Sequence, residues 1–422
     1  MVVEGKVLDL AILDANTPGS LKTSDICIKD GLIRAVGKAS DRTRSIDAAG
    51  MMTVPGFVNI HTHLDKAGLL SRMKPGDFGK SLEENRELLK KFKRDYTVNE
   101  VMGRAGKIVG EMVVQGTTAI RTQVDVDTTA GLKGVEALTR LKEEFKNTVR
   151  IQLCAFPQEG VLKKGCEDLI NQALESGADL MGGLPLVEKT REEQEQHLDV
   201  LFEIAVRHGC DLEVQVDESN NPQDFMLPLL AEKTIENKWQ GRVSATHCIS
   251  LSAVDDGIAG ETIRLVKEAG MNVIVTPSAN MITRHNVPDG VHARPSNSIT
   301  RVRELLDAGV NVAVGTDNIR DVFYPLGNGS MLREMHVLAS ATRMTGSGDD
   351  SLLFDMASVN GARIMGLGYG VKEGSLADLI VLNYESTSRA LNGIPHVRYV
   401  VNGGRVVSEN SMRNTINGDE LD

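Results

Sequence analysis

The chain has no apolar run approaching the ~18 residues that span a bilayer as a helix, so an integral membrane protein is not expected. It has no basic excess either. Lys and Arg number 47 against 58 Asp and Glu, a formal net charge of −11. That balance argues against a generic binder of nucleic acid or anionic membranes. Cysteine is sparse: Cys27, Cys154, Cys166, Cys210 and Cys248 are scattered, odd in number and form no Cys-x-x-Cys pair. A disulfide framework is thereby disfavoured, and a reduced, cytoplasmic protein is expected. Each thiol reads as a small buried residue rather than a nucleophile. Residues 1–6 lack a basic segment followed by an apolar one, so export is not expected. There is no low-complexity tract and no long linker.

What is present is ordinary in composition and regular in arrangement. The hydrophobic fraction is 41% and the charged fraction 25%, as in soluble globular enzymes. A length of 422 residues allows one large barrel with a small domain, or two to three ordinary domains. From about residue 100 to 345 one plan repeats: amphipathic helix, glycine, short apolar strand. Val101, Ala105, Ile108, Val109 and Met112 recur at helical spacing, and Gly116 follows as a helix stop. Gly177, Gly209, Gly270 and Gly309 occupy the same place in later units. Strands are expected at 117–121, 151–156, near Leu180, and at 212–214, 243–246, 273–275 and 312–314. A further strand ends at His61, which makes eight. Mostly apolar strands alternating with helices imply a parallel sheet covered on both faces. Eight such units predict a closed (β/α)₈ TIM barrel. An open doubly wound sheet would want a glycine-rich phosphate loop after its first strand, and none is there.

The two ends read differently. Strands are expected at 8–13, 26–29 and 33–36, with Asp30-Gly31 as a hairpin turn. The C-terminal stretch predicts strands at 377–382, 397–401 and 405–407, with Asn402-Gly403 as a turn. Residues 1–54 and 371–422 are therefore expected to build one small β-sandwich domain beside a barrel at 55–370.

Residues 55–66 read Pro-Gly-Phe-Val-Asn-Ile-His-Thr-His-Leu-Asp-Lys. Strand side chains alternate faces, so His61 and His63 point the same way, roughly 6–7 Å apart. They are either two polar residues leaving a strand or two ligands of one ion, and imidazole suits zinc, iron and nickel alike. The other strand ends help to choose. A barrel enzyme carries its chemistry at the C-terminal ends of its strands. Those ends read Arg121-Thr122-Gln123-Val124-Asp125, Phe156-Pro157-Gln158-Glu159-Gly160, Gln215-Val216-Asp217-Glu218, Thr246-His247-Cys248 and Gly315-Thr316-Asp317-Asn318. Polar residues fall directly after apolar runs, in one register, as a metal-hydrolase site requires. His197, His208, His285, His292, His336 and His396 show no ligand spacing and read as packing or surface residues.

These segments, together with Tyr324-Pro325-Leu326-Gly327 and the run from Gly374 to Leu379, resemble the amidohydrolase superfamily. Within it the resemblance is to the cytosine deaminase and N-isopropylammelide isopropylaminohydrolase group, over nearly the whole length. It implies one divalent metal ion, zinc or iron, held by His61, His63, position 215 and Asp317. It implies that His247 orients the attacking water, that Glu218 shuttles a proton and that Gln158 grips the substrate ring. Asn318 is expected to touch the substrate as well. The sequence departs from the pattern at two places: Gln215 and Gln123 stand where relatives carry His. A neutral amide oxygen is a poorer ligand than imidazole for zinc or iron. The ion is then bound more weakly, or His247 joins the ligands, or a harder ion is preferred, or no ion binds. Asn318 and Phe323 also stand where cytosine deaminases tend to carry Asp and Trp, so cytosine itself is not implied.

The function implied is a metal-dependent aminohydrolase that cleaves the C–N bond of a cyclic amidine such as a pyrimidine or triazine. The alternatives are hydrolysis of a cyclic amide or another C–N or C–S bond, and a degenerate ligand-binding barrel. Asp217 and Asp125 are next in line should Glu218 not carry the proton. The expected partner is a small nitrogen heterocycle, not nucleic acid or membrane, and the protein is expected to be a homo-oligomer.

Overall fold

The computed structural model describes residues 8–39, 44–282, 287–411, 415–416 and 419–420. Eight strands pair in parallel and in chain order: β1 (Phe57–Thr62), β2 (Thr117–Asp125), β3 (Arg150–Phe156), β4 (Leu180–Gly183), β5 (Asp211–Val216), β6 (Val243–His247), β7 (Asn272–Val275) and β8 (Asn311–Val314). The first and last meet through a parallel bridge between Thr62 and Asp317. That seam is held by Asn59, whose amide donates to Thr316 Oγ1 at 2.7 Å and accepts from the Thr316 N–H at 3.1 Å. The Thr62 hydroxyl donates to the Asp317 carbonyl at 2.7 Å, and the Asp317 N–H donates to the His61 carbonyl at 2.9 Å. Barrel closure therefore sets His61 and Asp317 side by side.

The helices form where the apolar spacing predicts. Helix α1 (Leu82–Arg94) starts in a reciprocal cap between Ser81 and Glu84, and α2 (Val98–Val114) starts on the Thr97 side chain. On α2 the residues Val101, Ala105, Ile108, Val109 and Met112 are all buried against the barrel. The glycines at 116, 177, 209, 270 and 309 follow helices at positive φ, where a side chain would be strained.

One strand is longer than its apolar core suggests. β2 continues through Asp125 rather than stopping at Arg121. Its polar side chains find partners inside the barrel, so polarity does not end the strand.

The terminal segments form two four-stranded sheets. Leu10–Ala15, Ser24–Lys29, Leu32–Gly37 and Ser45–Asp47 make one. Thr53–Pro55, Leu379–Leu382, Val397–Asn402 and Arg405–Glu409 make the other. Leu10, Ile12, Ile26 and Ile28 pack against Leu379, Val381 and Val401 in one buried cluster, which joins the sheets as a sandwich. The Asp30-Gly31 turn is present, with both residues at positive φ. The C-terminal turn is shifted by one residue: Asn402 pairs with Arg405, and the turn is Gly403-Gly404. Asn402 stays in the strand because its amide donates to the Thr118 carbonyl at 2.9 Å.

Candidate active site and metal centre

The ends of β1, β5, β6 and β8 bring five side chains to one point: His61, His63, Gln215, His247 and Asp317. The His61 and His63 rings lie 5.2 Å apart, and the His61 and His247 rings 5.6 Å apart. Asp317 Oδ1 is 3.2 Å from His63 Nε2 and 3.6 Å from His61 Nε2. Donor atoms of His61, His247 and Asp317 all lie within 4.8 Å of one another. His247 and Asp317 adopt positive φ, at 75° and 58°. Such strain in non-glycine residues is held by the surrounding structure and gathers at functional sites.

Each ring is oriented from behind. His61 Nδ1 donates to Glu213 Oε1 at 2.6 Å, which leaves Nε2 facing the centre with no hydrogen-bond partner. His247 Nδ1 lies 2.9 Å from Asn280 Oδ1, an acceptor, so it carries the proton and Nε2 presents its lone pair. That lone pair lies 3.4 Å from Gln215 Oε1. Burial lowers the pKa of His61, but the Asp317 and Glu213 carboxylates outweigh it and push the group up to about 9. His63 goes the other way, to about 4, through burial and the charge of Lys66. Burial resists ionisation of Asp317, yet its bonds to His61 and His63 hold it well below the usual carboxylate range. An orphaned imidazole nitrogen, inward-turned rings and an ionised carboxylate form a donor set that fits a divalent cation, which would displace the proton held on His61. His61, His63 and Asp317, with Gln215 or His247, are the side chains that would hold it. Gln215 sits among them, 3.5 Å from His63 Nε2.

Glu213 organises this centre, and sequence reading placed it only as a strand residue. It is fully buried, and besides His61 it accepts from Gln123 Nε2 at 2.8 Å and Arg121 Nη1 at 3.1 Å. The signal was its position two residues before Gln215, on the same strand face. Gln123 does not face the ion site directly; it braces the Glu213 carboxylate beneath it. A Cβ on Gly182 would stand 3.0 Å from Gln123 Oε1, so β4 approaches β2 closely here.

A second buried group flanks the first. Lys66 donates to Asp125 Oδ1 at 2.8 Å and to Gln158 Oε1 at 2.7 Å. Lys93, on α1, donates to Asp125 Oδ2 at 2.9 Å and also binds Asp127. These side chains are all excluded from solvent except Gln158, which is 8% exposed. Burial opposes ionisation of Asp125, but the two ammonium groups overcome it and lower its pKa. Asp125 is thus committed to lysines and is not free to cycle a proton. Asp217 is not free either: its carboxylate accepts the N–H groups of Met226 and Leu227 at 2.6 and 3.2 Å and caps a helix.

A cavity of about 430 Å³ opens over the centre. His63, Asp317, Glu218, Gln158 and Asn318 all line it, so the expected site residues share one space. Gln215 lines it too, while His61 and His247 stand behind, at the ion position. Glu218 makes no hydrogen bond or ion pair among the described residues. Lys66 can only donate, so Gln158 turns its oxygen to the lysine and its NH₂ to the cavity. Asn318 donates its NH₂ to Asp321 Oδ2 at 2.7 Å, so its oxygen is the atom left for a ligand. Of the remaining histidines, His197 is buried and bonded to Glu188 and the Leu184 N–H, a packing role. His285 lies outside the described residues.

A parallel barrel with nitrogen and carboxylate donors at its strand ends defines a hydrolase of the metal-dependent barrel class. The amidohydrolase family profile matches residues 81–408, and the chain belongs to that family. It is 30% identical to the N-isopropylammelide isopropyl amidohydrolase of Pseudomonas sp. (strain ADP), over 96% of this chain and 99% of the relative. The 5-methylcytosine deaminase of Klebsiella pneumoniae, solved with 5-fluorocytosine, superposes with a TM-score of 0.88 at 29% identity, covering 96% and 99% of the two chains. The N-isopropylammelide isopropylaminohydrolase of Burkholderia multivorans superposes with a TM-score of 0.81 at 27% identity, covering 98% and 99%. Among the described residues no helix is long and apolar enough to cross a membrane.

Proposed function

We propose that this protein hydrolyses the exocyclic C–N bond of a six-membered nitrogen heterocycle, releasing ammonia or an alkylamine. The observation that carries the reading is the meeting of His61, His63, His247 and Asp317 with Glu218, Gln158 and Asn318 around one cavity. A divalent ion held by His61, His63 and Asp317, with Gln215 beside them, would supply the Lewis acidity that makes water nucleophilic near neutral pH. Asp317 stands next to that position and accepts the proton of the attacking water. His247, fixed by Asn280, keeps Nε2 turned toward the same water. Gln158 donates from its NH₂ to a ring carbonyl or nitrogen, and Asn318 accepts from a ring N–H. Glu218 gives a proton to the ring nitrogen beside the reacting carbon, which makes that carbon electrophilic. Asp317 passes the proton it took from water to the departing amine, which leaves as the C–N bond breaks, and Glu218 recovers its proton from the new hydroxyl as the ring carbonyl forms. Lys66 holds Gln158 in place rather than reacting.

A non-catalytic barrel is the weaker reading, because His61, His63, His247, Asp317 and an unengaged Glu218 are all present at the cavity. Similarity to the Pseudomonas and Klebsiella enzymes supports a pyrimidine or triazine substrate. Five free thiols, four of them buried, fit a cytoplasmic setting. The test is metal-loaded protein against a panel of amino- and alkylamino-substituted pyrimidines, triazines and pterins, read by ammonia or amine release. At least one ring should be turned over, and His61→Ala should lose both the ion and the activity. Turnover by wild type that persists in His61→Ala with unchanged metal content would overturn the site assignment. No release from any ring by fully metal-loaded protein would overturn the reaction.

A further inference from the structure

One guanidinium of the cavity makes no ion pair among the described residues. Arg86 lies on α1 and lines the same cavity as Glu218 and Gln158. It is partly buried, and its Nε is shut off from solvent without a hydrogen-bond partner. Among the described residues it makes no ion pair. The other cation deep in this region, Lys66, is committed to Asp125 and Gln158. The arginines nearby are committed as well: Arg72 and Arg104 both bind Glu100. Lys80 and Arg86 both line the cavity without an ion pair among the described residues, and Arg86 is the one with a nitrogen shut off from solvent and unpartnered.

An unpaired, partly buried guanidinium is costly unless something satisfies it. Its planar fork of N–H donors matches a carboxylate in two-point contact. Glu218, which lines the same cavity, acts on its charge, but the two form no ion pair. Burial works against the charge of Arg86, while Glu218 and Glu83 favour it only from a distance. The cavity, about 430 Å³, is larger than a bare six-membered ring fills, so a ring substituent has room. The reacting edge of the ring is committed to the ion position and Glu218. Arg86 is thus available to a substituent elsewhere on the ring.

We infer that the substrate is an amino-substituted heterocycle carrying a carboxylate, and that Arg86 binds this carboxylate and sets specificity. This rests on the reading of the cavity as an aminohydrolase site. It adds no chemical step: the carboxylate is a handle and does not react. Arg86 contributes to ground-state and transition-state binding alike, so its loss raises KM and leaves kcat nearly unchanged.

The experiment uses metal-loaded wild type, Arg86→Met and Arg86→Lys with cytosine, 5-carboxycytosine and 6-carboxycytosine. Binding is read by calorimetry and turnover separately by ammonia release. At least one carboxylated ring should bind wild type ten-fold or more tighter than cytosine. Arg86→Met should abolish that preference while leaving cytosine binding within about threefold, and Arg86→Lys should restore part of it. Absence of any preference for the carboxylated rings in wild type overturns the inference. So does a preference that survives in Arg86→Met. A fall in kcat of equal size on all rings would assign Arg86 to Glu218 instead and overturn it likewise. Ammonia release decides only the reaction: if no ring is turned over, the aminohydrolase reading fails while the binding preference still decides the role of Arg86.

Discussion

Replacing Glu213 with Gln tests the logic of the metal centre at its base. The carboxylate is fully buried and acts on two sides. On one oxygen it holds His61 Nδ1 at 2.6 Å and Gln123 at 2.8 Å; on the other it pairs with Arg121 at 3.1 Å. Burial resists its ionisation, but His61 and Arg121 together keep its pKa below the ordinary value. Glutamine keeps the volume and removes the charge. The His61 ring then keeps at most a neutral carbonyl acceptor, which fixes its tautomer and its aim less firmly. Loss of such an orienting partner costs roughly 10–100-fold in metal affinity. Arg121 meanwhile loses the one carboxylate that pairs with it among the described residues. Removing one member of a buried ion pair costs about 3–5 kcal/mol. Two acceptors remain for Arg121, Gln152 Oε1 at 2.9 Å and the Ile364 carbonyl at 3.2 Å, so the lower end of that range is expected. Competition with a chromophoric chelator measures the first effect, and urea unfolding of metal-free protein the second. Glu213→Asp separates them, because it keeps a charge for Arg121 while withdrawing the oxygen from His61. It should regain stability more than metal affinity. If Glu213→Gln holds metal within threefold of wild type, the argument that Glu213 aims His61 is wrong.

Three further outcomes are expected. Glu218→Gln keeps size but cannot cycle a proton, so kcat should fall by roughly 10²–10⁴-fold at unchanged metal content; activity within a few-fold of wild type would assign the proton to another group. Lys93→Met leaves Asp125 and Asp127 buried with one ammonium between them, which should destabilise by about 3–5 kcal/mol in urea unfolding; a loss below 1 kcal/mol would show that solvent reaches the cluster. Burial pushes the Glu334 carboxyl up to about 7, against its bonds to Ser278. A raised folded pKa means that its contribution is complete below the ordinary carboxylate value and is lost as pH rises through about 7. Wild type should therefore lose stability relative to Glu334→Gln between pH 5 and pH 8, and equal urea midpoint differences at the two pH values would contradict this.

The barrel was legible in the chain because its cause is local and repeated. A glycine after most of the amphipathic helices and a short apolar strand after each leave little choice beyond a parallel sheet. The His-x-His register was legible for the same reason: strand periodicity alone puts His61 and His63 on one face. Their partners Asp317 and His247 could be placed because chemistry in such barrels gathers at strand ends. What tertiary structure alone decided is which polar groups satisfy one another. Glu213 and Gln123 are far apart in sequence, and only strand packing turns both beneath His61. Asp125 and Asp217 look as free as Glu218 in the sequence. Folding commits one to Lys66 and Lys93 and the other to a helix start, and leaves Glu218 unengaged. The place of Arg86 at the cavity likewise comes only from how its helix packs. Periodicity is a property of neighbours along the chain. The pairing of buried charges depends on desolvation and distance across the fold, which no stretch of sequence carries by itself.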